Sequence, residues 1–447
     1  MSDRFGRAGP NGAIRRDRMA VEEAIRRRAI VKRGYGFVIG LATLAGLAVG
    51  MMFGACALAA GTPSIRIAVI APQSAIDGRS ITQAAELATS QINAAGGIEG
   101  KQIKLIRLDD HASATDGVRA FQRAVKQDHA VAVVGNFISE VALAEEPWAA
   151  RFKEPYIITG AWTTKINARI RQHYNRYKYV FRTTYNSNTG AREVCNYAHA
   201  ILARKLGYKT AVVMSEDAAW TKPLDKEYLK CLPAAGVKVI DHIRFDPSTN
   251  DFRPIFSRIQ KDNPDVIITG IAHVGVKPTV QWHNEQVPYL MAGWSSQAGA
   301  SSFWKDTNGA TEGVVTGDVA AASASITSKT IPFAKAYTKR FGETPAYDSY
   351  STYDAMYILK AAIERAGSTR AGALVSALEK TNYVGTQGRE VFQGRHAKFV
   401  HGLKYGKHYV PGVAIQWQHG KQVVIWPPKA ADGHVQLPSF VKGAQSG

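Results

Sequence analysis

Ser139 is the residue whose type and position carry the clearest chemistry. It follows the apolar run 130–134 and Gly135-Asn-Phe-Ile, at the mouth of a helical segment. A helix beginning there aims free backbone N–H groups and a positive dipole end at a negative group, and the hydroxyl adds another donor. A plain N-cap is the alternative role, and one hydroxyl can serve both. Asp109-Asp110 could hold a metal or pass a proton; the competing role is to cap the turn after a strand. His396, His401 and His408 cluster in sequence, but their spacing fits no tight metal site, and a loop role is the better reading. The chain has no G-x-S-x-G elbow, no G-x-x-x-x-G-K-[ST] loop and no H-E-x-x-H helix. Gly96-Gly97 with Gly100 follows a helix and precedes a strand, the reverse of a dinucleotide fingerprint. These residues describe a binder, not an enzyme, with no cofactor and no metal.

The elements that must position Ser139 are three strand-helix units in succession. Apolar, β-branched runs at 65–71, 103–108 and 130–134 read as strands. Between them, the stripe Ile81, Ala84, Ala85, Ala88, Ile92, Ala95 predicts a helix over 80–95, with Ser80 and Gln83 at capping-box spacing and Gly96-Gly97 closing it. Ser113-x-x-Asp116 opens a second helix. Strands alternating with helices argue for α/β architecture, a mostly parallel sheet flanked by helices. Ligands of such sheets settle beyond the strands' carboxyl ends, which singles out loops 72–79, 109–111 and 135–139. The alternation repeats later, with strands expected at 210–214, 238–243, 266–269 and 289–291. Helices follow at 331–341, 350–366 and 371–380, then strands at 413–417 and 423–426.

With 447 residues, 45% hydrophobic and 21% charged, the chain has room for two well-buried domains and is neither disordered nor fibrous. Its net charge is +20, of which six charges belong to the first 60 residues (ten Lys/Arg against four Asp/Glu) and 14 to the remainder. The latter are scattered, without a basic run interleaved with aromatics, which argues against nucleic acid. Arg26-Arg-Arg28 and Lys32-Arg33 precede a charge-free span, 34–65, with small residues at Ala57-Leu-Ala59. That is the pattern of an export signal over 1–60. Three fates stay open: cleavage, a lipoprotein modified at Cys56 in Phe53-Gly-Ala-Cys56, or an uncleaved anchor, the span being long enough to cross a bilayer. Cys195 and Cys231 are expected on two helices flanking the strand 210–214. Export favours a disulfide between them; two separate buried thiols are the alternative.

Asn93-Ala-Ala-Gly-Gly-Ile-Glu-Gly-Lys101, the Asp109-Asp110 pair, and Val134-Gly135 with Ser139 resemble the periplasmic solute-binding proteins of the leucine/isoleucine/valine type, the receptors of ATP-driven importers. Phe181-Arg-Thr183, Tyr353-Asp-Ala-Met-Tyr357 and Tyr383-Val-Gly385 through Phe392 continue the family's order of motifs, over roughly 64–427. The resemblance implies a type I periplasmic-binding-protein fold: two α/β lobes and a three-strand hinge. The corresponding partition is 64–183 with 313–405, then 184–312 with 406–437, then a flexible tail at 438–447. It also implies a periplasmic monomer that closes on a small molecule and meets permease subunits, touching the membrane only through its leader or a lipid. A ligand-sensing protein acting through a separate partner is the competing function.

By that resemblance Ser139 helps hold a ligand carboxylate, and Ala161, Trp162 and Thr163 stand where the family presents a backbone N–H and a threonine to the same group. Trp220 matches a tyrosine that covers the ligand, and Trp294 with Ser295 lies in the matching loop after 289–291. Gln73, Ser74, Tyr185, Ala272 and His273 complete the candidate shell. Three tryptophans on rim loops point to a flat or aromatic guest, against the ordinary role of packing under their own loops. Amino-acid binders of this type place an acid in the loop that here reads Ala292-Gly-Trp-Ser-Ser296, with none. Burying an unpaired ammonium is costly. Either Glu216, Asp217 or Asp318 supplies the charge, or the ligand carries no amine.

Overall fold

A computed structural model describes residues 64–444; the export signal expected over 1–60, with Cys56, lies outside them. The first sheet is built from β1 (Ile65–Ala71), β2 (Ile103–Asp109), β3 (Val133–Gly135), β4 (Tyr156–Ile158) and β5 (Val180–Arg182), all parallel, in the order β2-β1-β3-β4-β5. Between them run α1 (Ile76–Ala94), α2 (Ala114–Lys126), α3 (Ser139–Phe152), α4 (Lys165–Gln172) and α5 (Tyr174–Tyr177). β1 lies inside the sheet, between β2 and β3, and has only Arg66 less than buried, as a strand covered on both faces must.

The second sheet follows α6 (Ser187–Tyr197), which continues into a π-helical segment at Ala198–Ala203. It contains β6 (Thr210–Glu216), β7 (Lys238–Phe245), β8 (Val266–Ile271) and β9 (Leu290–Ser295), parallel, in the order β7-β6-β8-β9. Its helices are α7 (Thr221–Ala234), α8 (Arg253–Asp262), α9 (Val276–Asn284) and the short α10 (Phe303–Asp306). Cys195 on α6 and Cys231 on α7 form a disulfide, with Cα atoms 5.9 Å apart.

After β10 (Val315–Asp318) come α11 (Thr330–Phe341), α12 (Tyr347–Ala366), α13 (Ala371–Leu378) and the hairpin β11 (Tyr383–Val384) with β12 (Arg389–Glu390). α12 packs along α1 and so covers one face of the first sheet. β13 (Val413–Gln418) and β14 (Lys421–Trp426) close the chain as an antiparallel pair around His419-Gly420. Two parallel α/β units joined by three chain passages are the two-lobe architecture expected.

Four local expectations need correction. α1 starts one turn before Ser80, so Ser80 is no cap; its hydroxyl turns to Asp77 O and the Asp348 carboxylate. β10 does not return to the first lobe at residue 313. It pairs with β13, and Thr316 Oγ1 bonds both N and O of Ser295 in β9. Ala321 and Ala324 still pack on β13 and β14, and arrival at the first lobe is marked by Thr327 and Thr330, whose hydroxyls donate to Gly385 O and Thr386 O. Residues 438–444 are no loose tail: Phe440 meets Trp282 edge-on at 5.0 Å, and Lys442 N donates to Pro288 O. The third strand is also shorter than 130–134 suggests, because only Val133–Gly135 reaches both neighbours.

Candidate functional site

Gly135, at φ +126°, ends β3 where a Cβ would stand 2.3 Å from Ile70 O, so this turn needs glycine. Asn136 N then donates to Ile70 O, and Ser139 opens α3. The Ser139 hydroxyl oxygen accepts from the backbone N–H of Trp162 (3.2 Å) and of Thr163 (3.1 Å). Those two amides point inward because Arg182, buried at the end of β5, donates to the carbonyls of Trp162 and Thr163, both at 2.8 Å. Burial pushes the Arg182 guanidinium down to about 9, and Glu146 opposes the shift. The two peptide N–H groups thus converge on the Ser139 oxygen, which leaves the Ser139 O–H free to donate and polarised by both. A carboxylate is the natural acceptor for such a donor.

The opposite wall comes from the second lobe. Glu216, fully buried at the end of β6, accepts from Trp220 Nε1 (2.7 Å) and from the amides of Ala272 (3.0 Å) and His273 (2.9 Å), with His273 Nδ1 at 2.5 Å. Burial alone would raise this carboxyl, but the His273 imidazolium and these hydrogen bonds outweigh it and hold Glu216 below its ordinary value. Burial would likewise lower His273, and Glu216 pulls it up instead. Each partner thus favours the charged form of the other.

Rings fill the space between. The Trp162 indole lies 4.1 Å from Trp294, 6.0 Å from Trp220, 5.7 Å from Tyr347 and 5.9 Å from Tyr185, measured between centroids. A cavity of about 20 Å³ remains, lined by Ser139, Trp162, Trp220, His273 and Trp294 together with Phe137, Gly160, Ala272, Ser296 and Tyr347. That is room for about one water molecule.

Of the residues singled out in the sequence, Ser139, Trp162, Trp220, His273 and Trp294 therefore share one cavity. Ala161 and Thr163 are buried beside it, and Tyr185 packs behind Trp162 and Trp294. Gln73 and Ser74 do not line it. The Gln73 amide folds back onto Thr82 and Ala71 O, and Ser74 is exposed. Ser295 is also displaced: as the last residue of β9 it turns to Thr316, and Ser296 takes the place at the wall. Asp109 and Asp110 cap their own turn, accepting from the amides of His111 (2.8 Å) and Ala112 (2.9 Å). His401 stacks on Phe181 at 4.1 Å, well inside the first lobe. Phe137, Gly160 and Ser296 lie in loops already marked by the sequence. Tyr347, whose hydroxyl donates to Gly160 O at 2.9 Å, does not; α12 begins a turn earlier than its apolar stripe shows.

Three comparisons bear on this geometry. A family model described as a periplasmic binding protein matches residues 64–406. The Leu/Ile/Val-binding protein homolog 7 of Brucella abortus (strain 2308) is 23% identical over 368 residues, 79% of this chain and 88% of its own. The fold is similar to the branched-chain amino acid transporter substrate binding protein LivJ of Streptococcus pneumoniae in complex with isoleucine, with TM-score 0.71 and 20% identity over 82% of this chain and 100% of that one. It is also similar to an ABC transporter solute binding protein of Rhodopseudomonas palustris BisB5 in complex with 3,4-dihydroxy benzoic acid, with TM-score 0.67 and 20% identity over 80% of this chain and 95% of that one.

Proposed function

Since the chain belongs to the periplasmic binding protein family, we propose that it captures a small carboxylate-bearing solute without an amine, aromatic rather than branched aliphatic, and delivers it to the permease of an ABC importer. It is a binding protein and not an enzyme. Among the described residues no helix is long and apolar enough to cross a membrane. The reading includes lobe closure around the guest: contacts to both walls form only when the lobes meet, so the guest favours the closed form.

The observation that carries the carboxylate is the convergence of Ser139 Oγ with the Trp162 and Thr163 amides. The missing amine rests on the state of the acids. Glu216 already accepts from Trp220, Ala272 and His273. Asp217 is on the surface, paired with Arg244 and Lys222. Asp318 is pushed well up by burial, and Asp348 likewise by burial and by the Asp77 carboxyl, so neither offers a ready negative charge. The tryptophan rings support an aromatic body, which they can cover by stacking.

Titration calorimetry of the leaderless protein with benzoate, 4-hydroxybenzoate, leucine and isoleucine tests this. The aromatic acids bind and the amino acids are silent. Ser139→Ala weakens the acids by about 1.5–3 kcal/mol, the worth of a hydrogen bond to a charged group. Tight leucine binding with both aromatic acids silent overturns the reading.

A further inference from the structure

We propose that Trp162 is an internal latch, an indole carried by the first lobe and seated in the second, which holds the lobes together and must be displaced by an incoming ring. This deepens the function proposed above and rests on it for the guest, though not for the latch itself.

The backbone of Trp162 belongs to the first lobe: its N–H meets Ser139 and its carbonyl meets Arg182. Its ring does not stay there. The indole lies against Gly190 of α6, where an added Cβ would stand 2.1 Å from the ring, so this helix carries a slot that any larger residue would close. Trp220 and Trp294 of the second lobe form the rest of the seat, and the ring N–H donates to Thr184 Oγ1 in the connecting segment at 3.1 Å. The residue is only 3% exposed. Trp220, by contrast, spends its ring N–H on Glu216 of its own lobe.

Small-molecule sites typically offer about 300–1,000 Å³. The space beside Ser139 is about 20 Å³, and the Trp162 indole occupies the position between Trp220 and Trp294 that a flat guest would need. Guest and indole therefore compete for one seat. A binding-competent fraction reduced by the latch lowers apparent affinity by that same fraction.

Small-angle scattering of unliganded Trp162→Ala and Gly190→Ala tests the latch, with melting curves verifying that each variant is folded. Gly190→Ala reaches the latch from the opposite lobe by filling the slot. Both variants are expected to scatter with a larger radius of gyration than the parent. Benzoate is expected to restore the compact form and to bind about tenfold more tightly, as when a nine-tenths latched population is released. Unliganded variants as compact as the parent overturn the latch. If no aromatic acid binds the parent or the variants, the assigned guest is wrong, and the unliganded profiles still decide whether Trp162 holds the lobes.

Discussion

Across the cleft, the first lobe presents the Ser139 hydroxyl on a loop held from behind by Arg182, whereas the second presents rings around the Glu216–His273 pair. The two walls differ in what they leave free. Ser139 and the two amides beside it bond one another, and the Ser139 proton stays available for an acceptor. The Glu216 carboxylate is taken up by Trp220, Ala272 and His273. The proposed function accordingly assigns head-group choice to the first lobe. Enclosure belongs to the second, whose interior charges serve to fix the loops after β6 and β8. The second lobe is also the one closed by a disulfide.

The contrast breaks most sharply at Glu216. Glu216→Ala leaves the buried His273 ring and three N–H groups, those of Trp220 Nε1, Ala272 and His273, without their acceptor, and it is expected to lower stability by about 3–5 kcal/mol in denaturant titration. A loss under 1 kcal/mol would show that this wall does not depend on the pair. The disulfide comes next. Its partners are 36 residues apart in sequence, and Cys195→Ser with Cys231→Ser is expected to cost about 3–4 kcal/mol by chain entropy. Hydrogen exchange should place the loss in α6 and α7; a loss spread evenly over both lobes would blur the comparison.

The last test is read against pH and concerns Asp77, the first-lobe acid that faces His273 and Ser296. Burial raises its carboxyl from 3.8 to about 7, with His273 opposing. Between those values the folded chain holds a proton that the unfolded chain has lost, so stability falls as pH rises from about 4 to about 7 and is level above. Asp77→Asn is expected to flatten the decline of the melting temperature between pH 5 and pH 8. An unchanged slope would assign that decline to other buried carboxyls, such as Asp354 and Glu390, which are also raised by burial.

Much of this was legible along the chain. Cys195 and Cys231 fall on helices on either side of β6, Ser113 caps α2 by accepting from Asp116 N, and Ser139 begins α3 just after the third strand. The Ser139 loop could be named in advance because strand, turn and helix start are written within a few residues of each other; the Trp162 loop was named through the family resemblance. Gln73, Ser74 and Ser295 were misplaced for a related reason. The loops' positions were readable, but Thr82 draws the Gln73 side chain away from the cavity and Thr316 fixes the Ser295 backbone, partners 9 and 21 residues away.

The sequence by itself determined the alternation of strands and helices, the caps, and the loops that gather at one end of each sheet. Hydrophobic period and local hydrogen bonding decide those within one or two turns of chain. Only the tertiary structure decided that Arg182 turns the Trp162 and Thr163 amides toward Ser139, that Glu216 spends its charge on His273 some 57 residues on, and that the Trp162 indole crosses into a slot left by Gly190. Each of these depends on two distant segments arriving at van der Waals distance, and burial then makes the surviving hydrogen bonds and charges count far more than they would in water.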